Sequence, residues 1–353
     1  MNARPSDLDE PRLESLLERF RSLRVAVLGD FFLDKYLDVD ASLAEISLET
    51  GKTAHQVVAV RHAPGAAGTV VNNLAALGAG SLRAIGFTGE DGEGYELRRD
   101  LEALGCGTSE LYIDPERHTP TYLKPRDVDR PGLAGEHCRY DTKNRQPTAT
   151  WLEERLISSV ESVLPDIDAL IVMDQVEEED CGVLTRRVVS ALAGMLPRPG
   201  LVAWADSRRR ILRFRGLILK MNQFELAGVT EPEPGSLVPE AVIRARLPSV
   251  AREAGAPVFV TMAERGVWAG DFSGAPALRV PAIMVEGSVD PTGAGDSFTA
   301  GAALSLAAGA TMYEAALVGN LVASVTVRQL GTTGTAKPEE LAPALRVWKE
   351  QNR

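Results

Sequence analysis

Hydrophobic and polar positions along the chain change period several times. Over residues 8–22, Leu13, Leu16, Leu17 and Phe20 recur at helical spacing, which predicts an amphipathic helix. RVAVLGD (24–30) is apolar without alternation and reads as a buried strand ending in Gly-Asp. From about 36 to 62, short β-like pieces such as HQVVAV carry polar interruptions and no helical period, so a small sheet set apart from the main body is expected. After Pro64 an α/β rhythm begins, with a helix over 66–78, the strand SLRAIG and a helix over Glu93–Leu104 closed by Gly105. A second polar, β-rich stretch, 109–141, is expected to pair with the first. Helices at 150–163, 180–194 and 239–254 then alternate with the strands ALIVM (169–173), LVAWAD (201–206), LILKMN (217–222) and PVFVTM (257–262). Three helices, 293–308, 312–327 and 338–349, end the chain. Such alternation implies an α/β fold whose mostly parallel sheet is covered on both faces. TEPEPGS (230–236) reads as a surface loop, and no repeat of fixed period is present.

The 353 residues are 44% hydrophobic and 25% charged, as in soluble globular proteins. A net charge of −11 argues against a nucleic-acid partner, whose binding needs basic surface. Cys106, Cys138 and Cys181 are odd in number, far apart and form no CxxC, so neither a disulfide framework nor a zinc site is expected. The four histidines show no metal spacing. MNARPSDLDEPRLESLLERF is charged throughout and lacks the apolar stretch of a signal peptide, and no apolar run reaches membrane-spanning length. A cytoplasmic protein without a membrane partner is expected.

Chemistry concentrates in DPTGAGDSFTAG (290–301). Gly293, Ala294 and Gly295 precede a helix with a small apolar face, so backbone N–H groups at its start can meet an anion closely. Asp296 stands at that start. A carboxylate there also stabilises any helix, but a simple cap needs no flanking glycines. Amides for phosphoryl oxygens and a carboxylate for a hydroxyl proton are what phosphoryl transfer requires. The helix dipole and N–H groups are expected to keep Asp296 ionised at neutral pH.

At every position the motif restricts, this segment resembles the C-terminal signature of the ribokinase-like, or PfkB, carbohydrate kinases. The resemblance extends over about 23–345. It implies a three-layer α/β/α domain over 23–353, with lid inserts at about 36–62 and 109–141 and an N-terminal helical extension, 1–22. It also implies an ATP-dependent phosphotransferase with Asp296 as catalytic base and Gly293, Ala294, Gly295 and Asp296 as anion hole. Asp34 in GDFFLDKY and Gly65 in PGAAGTVVNN fall at acceptor-binding positions. Gly86, Gly89, Asp91 and Gly94 match a structural GxxGxDxxG segment, with Asp91 capping the next helix. Asn222 and Glu225 match NxxE, which places Mg²⁺ through water. Asp206, Thr261, Gly266 and Asn320 fall where relatives meet the nucleotide. Asp290, Thr292 and the loop 326–335 resemble a monovalent-cation loop, with potassium as its candidate ion.

Three positions depart from the pattern. Ala66 replaces the second glycine of a pair, Thr69 replaces a sugar-binding asparagine with Asn72 and Asn73 one turn on, and Ala263 replaces the glycine of TxGxxG. The first two leave the acceptor open. Within the family the chain looks most like the heptose-phosphate kinases of bacterial surface polysaccharides, through LRVAVLGDFFLDKY, Thr121–Arg126 and Cys138–Asp141. Lys124, Arg126 and Arg139, cations beside the acceptor, suit an acceptor that already carries phosphate, or simply a solvated β face. Arg208, Arg209 and Arg210 suit ATP phosphates or, again, solvent. Gly51-Lys52-Thr53 imitates a P-loop but has Ile46 where that loop needs glycine, and the first strand lacks the dinucleotide fingerprint GxGxxG. The alternatives are a kinase of an unphosphorylated sugar or nucleoside, and a non-catalytic sugar or nucleotide sensor. A homodimer through the lid is expected because the lid's sheet edges need cover.

Overall fold

The computed structural model describes residues 8–130, 135–331 and 333–352. Part of the second insert (131–134) and Thr332 of the expected cation loop lie outside the described residues. In chain order the elements are α1 (Glu10–Phe20), β1 (Arg24–Gly29), β2 (Phe31–Ile46), β3 (Thr53–Ala66), α2 (Ala67–Ala76), β4 (Ser81–Gly89), α3 (Gly92–Ala103), β5 (Cys106–Asp114), β6 (Thr121–Asp127) and β7 (Tyr140–Thr142). There follow α4 (Thr150–Val163), β8 (Ala169–Asp174), α5 (Arg186–Met195), β9 (Val202–Ser207), β10 (Ile218–Asn222), α6 (Gln223–Ala227), α7 (Glu240–Ala254), β11 (Val258–Thr261), β12 (Val267–Gly270) and β13 (Leu278–Val280). Helices α8 (Ala294–Ala307), α9 (Met312–Thr326) and α10 (Pro338–Gln351) complete the chain.

The unalternating apolar runs form a nine-stranded sheet in the order β13-β12-β11-β10-β9-β8-β1-β4-β5. It is parallel from β11 to β5 and antiparallel at β12 and β13. Successive residues of each strand enter opposite cores. Val25, Val27, Ala169 and Ile171 pack with α1, α2, α3, α8, α9 and α10. Ala26, Leu28, Leu170 and Val172 pack with α4, α5 and α7. Leu13, Leu16 and Phe20 of α1 are fully buried in the first core, so the helix expected as an extension is part of the body. Its Arg12 also pairs with Glu314 of α9 at 2.8 Å.

A separate four-stranded sheet has the order β3-β2-β6-β7. The second insert is smaller than expected: β5 edges the nine-stranded sheet, and only β6 and β7 join the small one. Helix α5 also starts later than 180, because the backbone N–H of Val183 donates to the buried Asp30 carboxylate and Thr185 caps the helix.

Candidate active site

The carboxyl ends of the parallel strands, where α/β folds gather ligands, deliver Asp30 after β1, Asp206 in β9, Asn222 closing β10 and Thr261 closing β11. Helix α8 starts there with Gly293 in the left-handed region (φ 76°) and no side-chain cap. A Cβ on Gly295 would lie 2.7 Å from Lys220 Nζ, so glycine lets this turn rest directly against a buried ammonium. A Cβ on Gly293 would meet Thr69 Cγ2 at 3.3 Å and Thr333 Cγ2 at 3.4 Å.

Asp296 is not held as a plain carboxylate. Burial first, then the nearby Asp206, lift its pKa to about 7 against the opposing pull of Lys220 and Arg208. This corrects the expectation that the helix start alone would keep it ionised. Lys220 Nζ donates to Asp206 Oδ2 at 2.8 Å. Burial works against its charge, but Asp206, with Asp296 and Glu225 beyond it, holds its pKa raised. Asn222 and Glu225 form a reciprocal capping box on α6. The Asn222 side chain accepts from the N–H groups of Phe224 (2.8 Å) and Glu225 (2.9 Å), and Glu225 Oε2 accepts from the Asn222 N–H at 2.6 Å. Burial lifts Glu225 to about 7 as well.

The small sheet carries a second buried group. Asp34 is buried, and its Oδ1 has Lys124 Nζ at 3.1 Å yet accepts no well-directed hydrogen bond. Burial raises its pKa more than Lys124 lowers it. A Cβ on Gly65 would sit 3.1 Å from that carboxyl carbon. Lys124 also lies over the Tyr36 ring, and Arg139 stacks on Tyr122 at 4.3 Å while chelating Asp141. Arg208, not Arg126, joins this group, with Nη1 3.4 Å from the Tyr122 hydroxyl. Arg126 reaches instead to the Gly331 carbonyl, at 3.2 Å. Asn73 is fully buried; its amide nitrogen donates to the carbonyls of Thr69 and Gly334 and so braces α2, while its Oδ1 is left without a hydrogen-bond partner.

A cleft of about 630 Å³ opens beside the start of α8. Ala294, Gly295, Asn222, Thr261, Gly266 and Asn320 are among its walls. Asn320 donates to the Pro281 carbonyl at 3.1 Å, and its side chain thereby fixes the cleft's edge to the end of β13.

The pfkB family of carbohydrate kinases matches residues 23–339. This chain belongs to that family. It is 31% identical over 339 residues to "Bifunctional protein HldE" of Citrifermentans bemidjiense, covering 95% of this chain and 66% of that protein. The namesake from Bradyrhizobium diazoefficiens is 31% identical over 90% of this chain and 62% of its own length. The chain thus spans about two thirds of the length of these relatives. The fold is that of Escherichia coli phosphofructokinase-2 in complex with fructose-6-phosphate (TM-score 0.66, 18% identity, 94% of this chain and 100% of that one). Arabidopsis thaliana ribokinase with ribose and ATP is similar too (TM-score 0.63, 17% identity, 92% and 99%).

As a pfkB carbohydrate kinase, the chain departs from pattern where backbone geometry is costly. Ala66 (φ 54°) and Ala263 (φ 50°) occupy the left-handed side that favours glycine. Among the described residues no cluster of three carboxylate, histidine or cysteine side chains could hold a metal. Mg²⁺ fits nevertheless, since it keeps most of its waters and needs few protein ligands. Glu225 has one oxygen outside the capping box, and Asp206 one outside its Lys220 contact. The expected potassium loop is described except for Thr332. Asp290 accepts through Oδ1 from the Thr292 N–H and through Oδ2 from the Gly331 N–H, so it serves as a backbone brace.

Lys220 is the residue that motif matching missed. Its signal was a lone lysine inside the apolar strand LILKMN, two residues before Asn222.

Proposed function

We propose that this sugar kinase transfers the γ-phosphoryl group of ATP to a hydroxyl of a phosphorylated sugar, of heptose-phosphate type by resemblance. The observation that carries the reading is that the first turn of α8 walls the large cleft and also packs against α2, with Asp34 close enough to act on the charge of Asp296. Ala294 and Gly295 line the large cleft, and Gly293 lies against Thr69 of α2. Asp34 Oδ1, buried and without a directed partner, suits an acceptor hydroxyl. Asp296 then takes the proton of the attacking hydroxyl. The acceptor oxygen bonds to the γ-phosphorus, the bond to the β–γ bridging oxygen breaks, and ADP leaves. Amides of 293–296 and the Lys220 ammonium offset the charge on the transferring oxygens. Mg²⁺ near Glu225 and Asp206 would screen the phosphates. The small sheet, as a lid, would exclude water from this step.

The cations around Tyr122, namely Lys124, Arg139 and Arg208, support a phosphate on the acceptor. ADP release with Mg-ATP against paired sugars and sugar phosphates tests this. Turnover is expected with phosphorylated members, and Lys124→Met should raise their KM by about tenfold or more. Preference for the unphosphorylated members would sink the phosphate reading.

Leu43, Ile46, Val57, Val58 and Val60 are exposed on the small sheet. Together with its uncovered edge they support a homodimer joined through the lid. Light scattering at micromolar concentration should give twice the chain mass, and a monomer would contradict the pairing.

A further inference from the structure

We propose that Arg126 is a positioning residue that ties the acceptor side of the small sheet to the anion-hole segment. The inference rests on the roles given above to Asp34 and Asp296. Strands β2 and β6 run parallel in the register Asp34↔Tyr122, Tyr36↔Lys124, Asp38↔Arg126. Two-residue periodicity puts these six side chains on one face. Lys124 turns toward Asp34 and Tyr36. Arg126, one rung on, leaves the sheet and donates from Nη1 to the Gly331 carbonyl at 3.2 Å.

Its guanidinium is held from behind and continued in front. Asp38 Oδ1 lies 3.7 Å from Arg126 Nε, and the same carboxylate takes two hydrogen bonds from Arg61 of β3, at 2.8 and 3.0 Å. Ahead of it, the Gly331 N–H donates to Asp290 Oδ2 (3.1 Å). Asp290 Oδ1 accepts from the Thr292 N–H (3.0 Å), and the Asp290 N–H donates to the Val327 carbonyl (2.8 Å). Thr292 immediately precedes Gly293, where α8 starts. The path is therefore continuous from Arg61 through Asp38, Arg126, Gly331 and Asp290 to the anion hole. Gly331 suits this junction: it is left-handed (φ 70°), and a Cβ there would lie 2.6 Å from Arg126 Nη1.

The contact between Arg126 and Gly331 exists only while the small sheet sits against the body. An acceptor bound at Asp34, on the same face two rungs away, favours that position. Arg126 thereby links acceptor arrival to the geometry of residues 290–296, as a two-state element that both sites bias. The guanidinium touches neither acceptor nor ATP in this account, so its loss lowers turnover far more than acceptor affinity, which falls only by the share of the docked position that is lost.

The test compares wild type with Arg126→Gln and Arg126→Lys. Amide exchange is followed in the presence of Mg-ADP, and kinetics use the sugar phosphate that gives the fastest ADP release. In Arg126→Gln, protection of 290–296 and 327–331 should fall about tenfold, with β2 and β3 unchanged. Turnover (kcat) should fall about tenfold or more while the acceptor KM stays within about threefold, and Arg126→Lys should recover part of both. Unchanged exchange at 290–296 would overturn the proposal. So would a raised acceptor KM at unchanged kcat, which would make Arg126 an acceptor ligand. Should Arg126→Gln fail to fold, Arg126→Met, which keeps the aliphatic stem and loses only the guanidinium, carries the same expectations. Absence of turnover by wild type refutes the kinase acceptor reading alone, because the exchange measurement stands without it.

Discussion

At Asp296 two effects oppose each other. The start of α8 and the Lys220 ammonium favour the carboxylate, while burial and the neighbouring Asp206 favour the neutral acid and prevail, to about 7. A general base must be ionised, so kcat/KM should rise with pH and level off above about 7. Lys220→Met removes the opposing cation and should move that acidic limb to higher pH. A limb near pH 4 in wild type would contradict this electrostatic account. The stability sign is the reverse. A carboxyl whose folded pKa is raised binds more protons folded than unfolded between about 4 and 7, so its contribution falls as pH rises through that window. Asp296→Asn should therefore melt higher than wild type at pH 8 and close to it at pH 4. Asp296 and its glycines were legible because small residues flank a carboxylate without need. Lys220 was not, because a sequence does not tell which face of a strand end meets a helix start. Ala66 and Ala263 were legible as departures, but their cost, positive φ on residues with a Cβ, appears only in the fold.

Among the elements, the short helix α6 shows how a motif and a cap can be one object. NxxE was read for its metal, and the fold uses the same two side chains to close β10 into α6. The box fixes one Glu225 oxygen and leaves the other outside it, with the charges of Asp206 and Lys220 acting on the carboxylate. Asn222→Ala should cost about 1 kcal/mol of stability and raise the Mg²⁺ concentration needed for half-maximal ADP release. Thermal melts and a Mg²⁺ titration check both, and an unchanged Mg²⁺ requirement would separate the cap from the metal role. Elsewhere, element type was readable wherever one period ran for ten residues or more, as in α4 and α7. It failed where cover is one-sided or the piece is short. Strand β5 alternates because it is an edge, and so looked like the insert. Strands β12 and β13, of four and three residues, left too little pattern to detect.

For the whole molecule, alternating strand faces and two helical layers make the sheet a platform, with the candidate site at its carboxyl edge, where α/β folds gather ligands. That architecture was legible from the α/β rhythm and the C-terminal signature together. The partition of contacts between small sheet and body was not, since Arg208 lies against Tyr122 of the small sheet while Arg126 reaches the Gly331 carbonyl of the body. The α8 turn, walling the large cleft with Asp296 at its start, performs the transfer with Asp296 as base in this account. The most direct test is ADP release with Mg-ATP and a panel of sugars and sugar phosphates, wild type beside Asp296→Asn. The account predicts turnover by wild type and a loss of about a hundredfold or more in the variant, with ATP still bound. Equal turnover by the two proteins, or tight ligand binding without turnover across the panel, would contradict it.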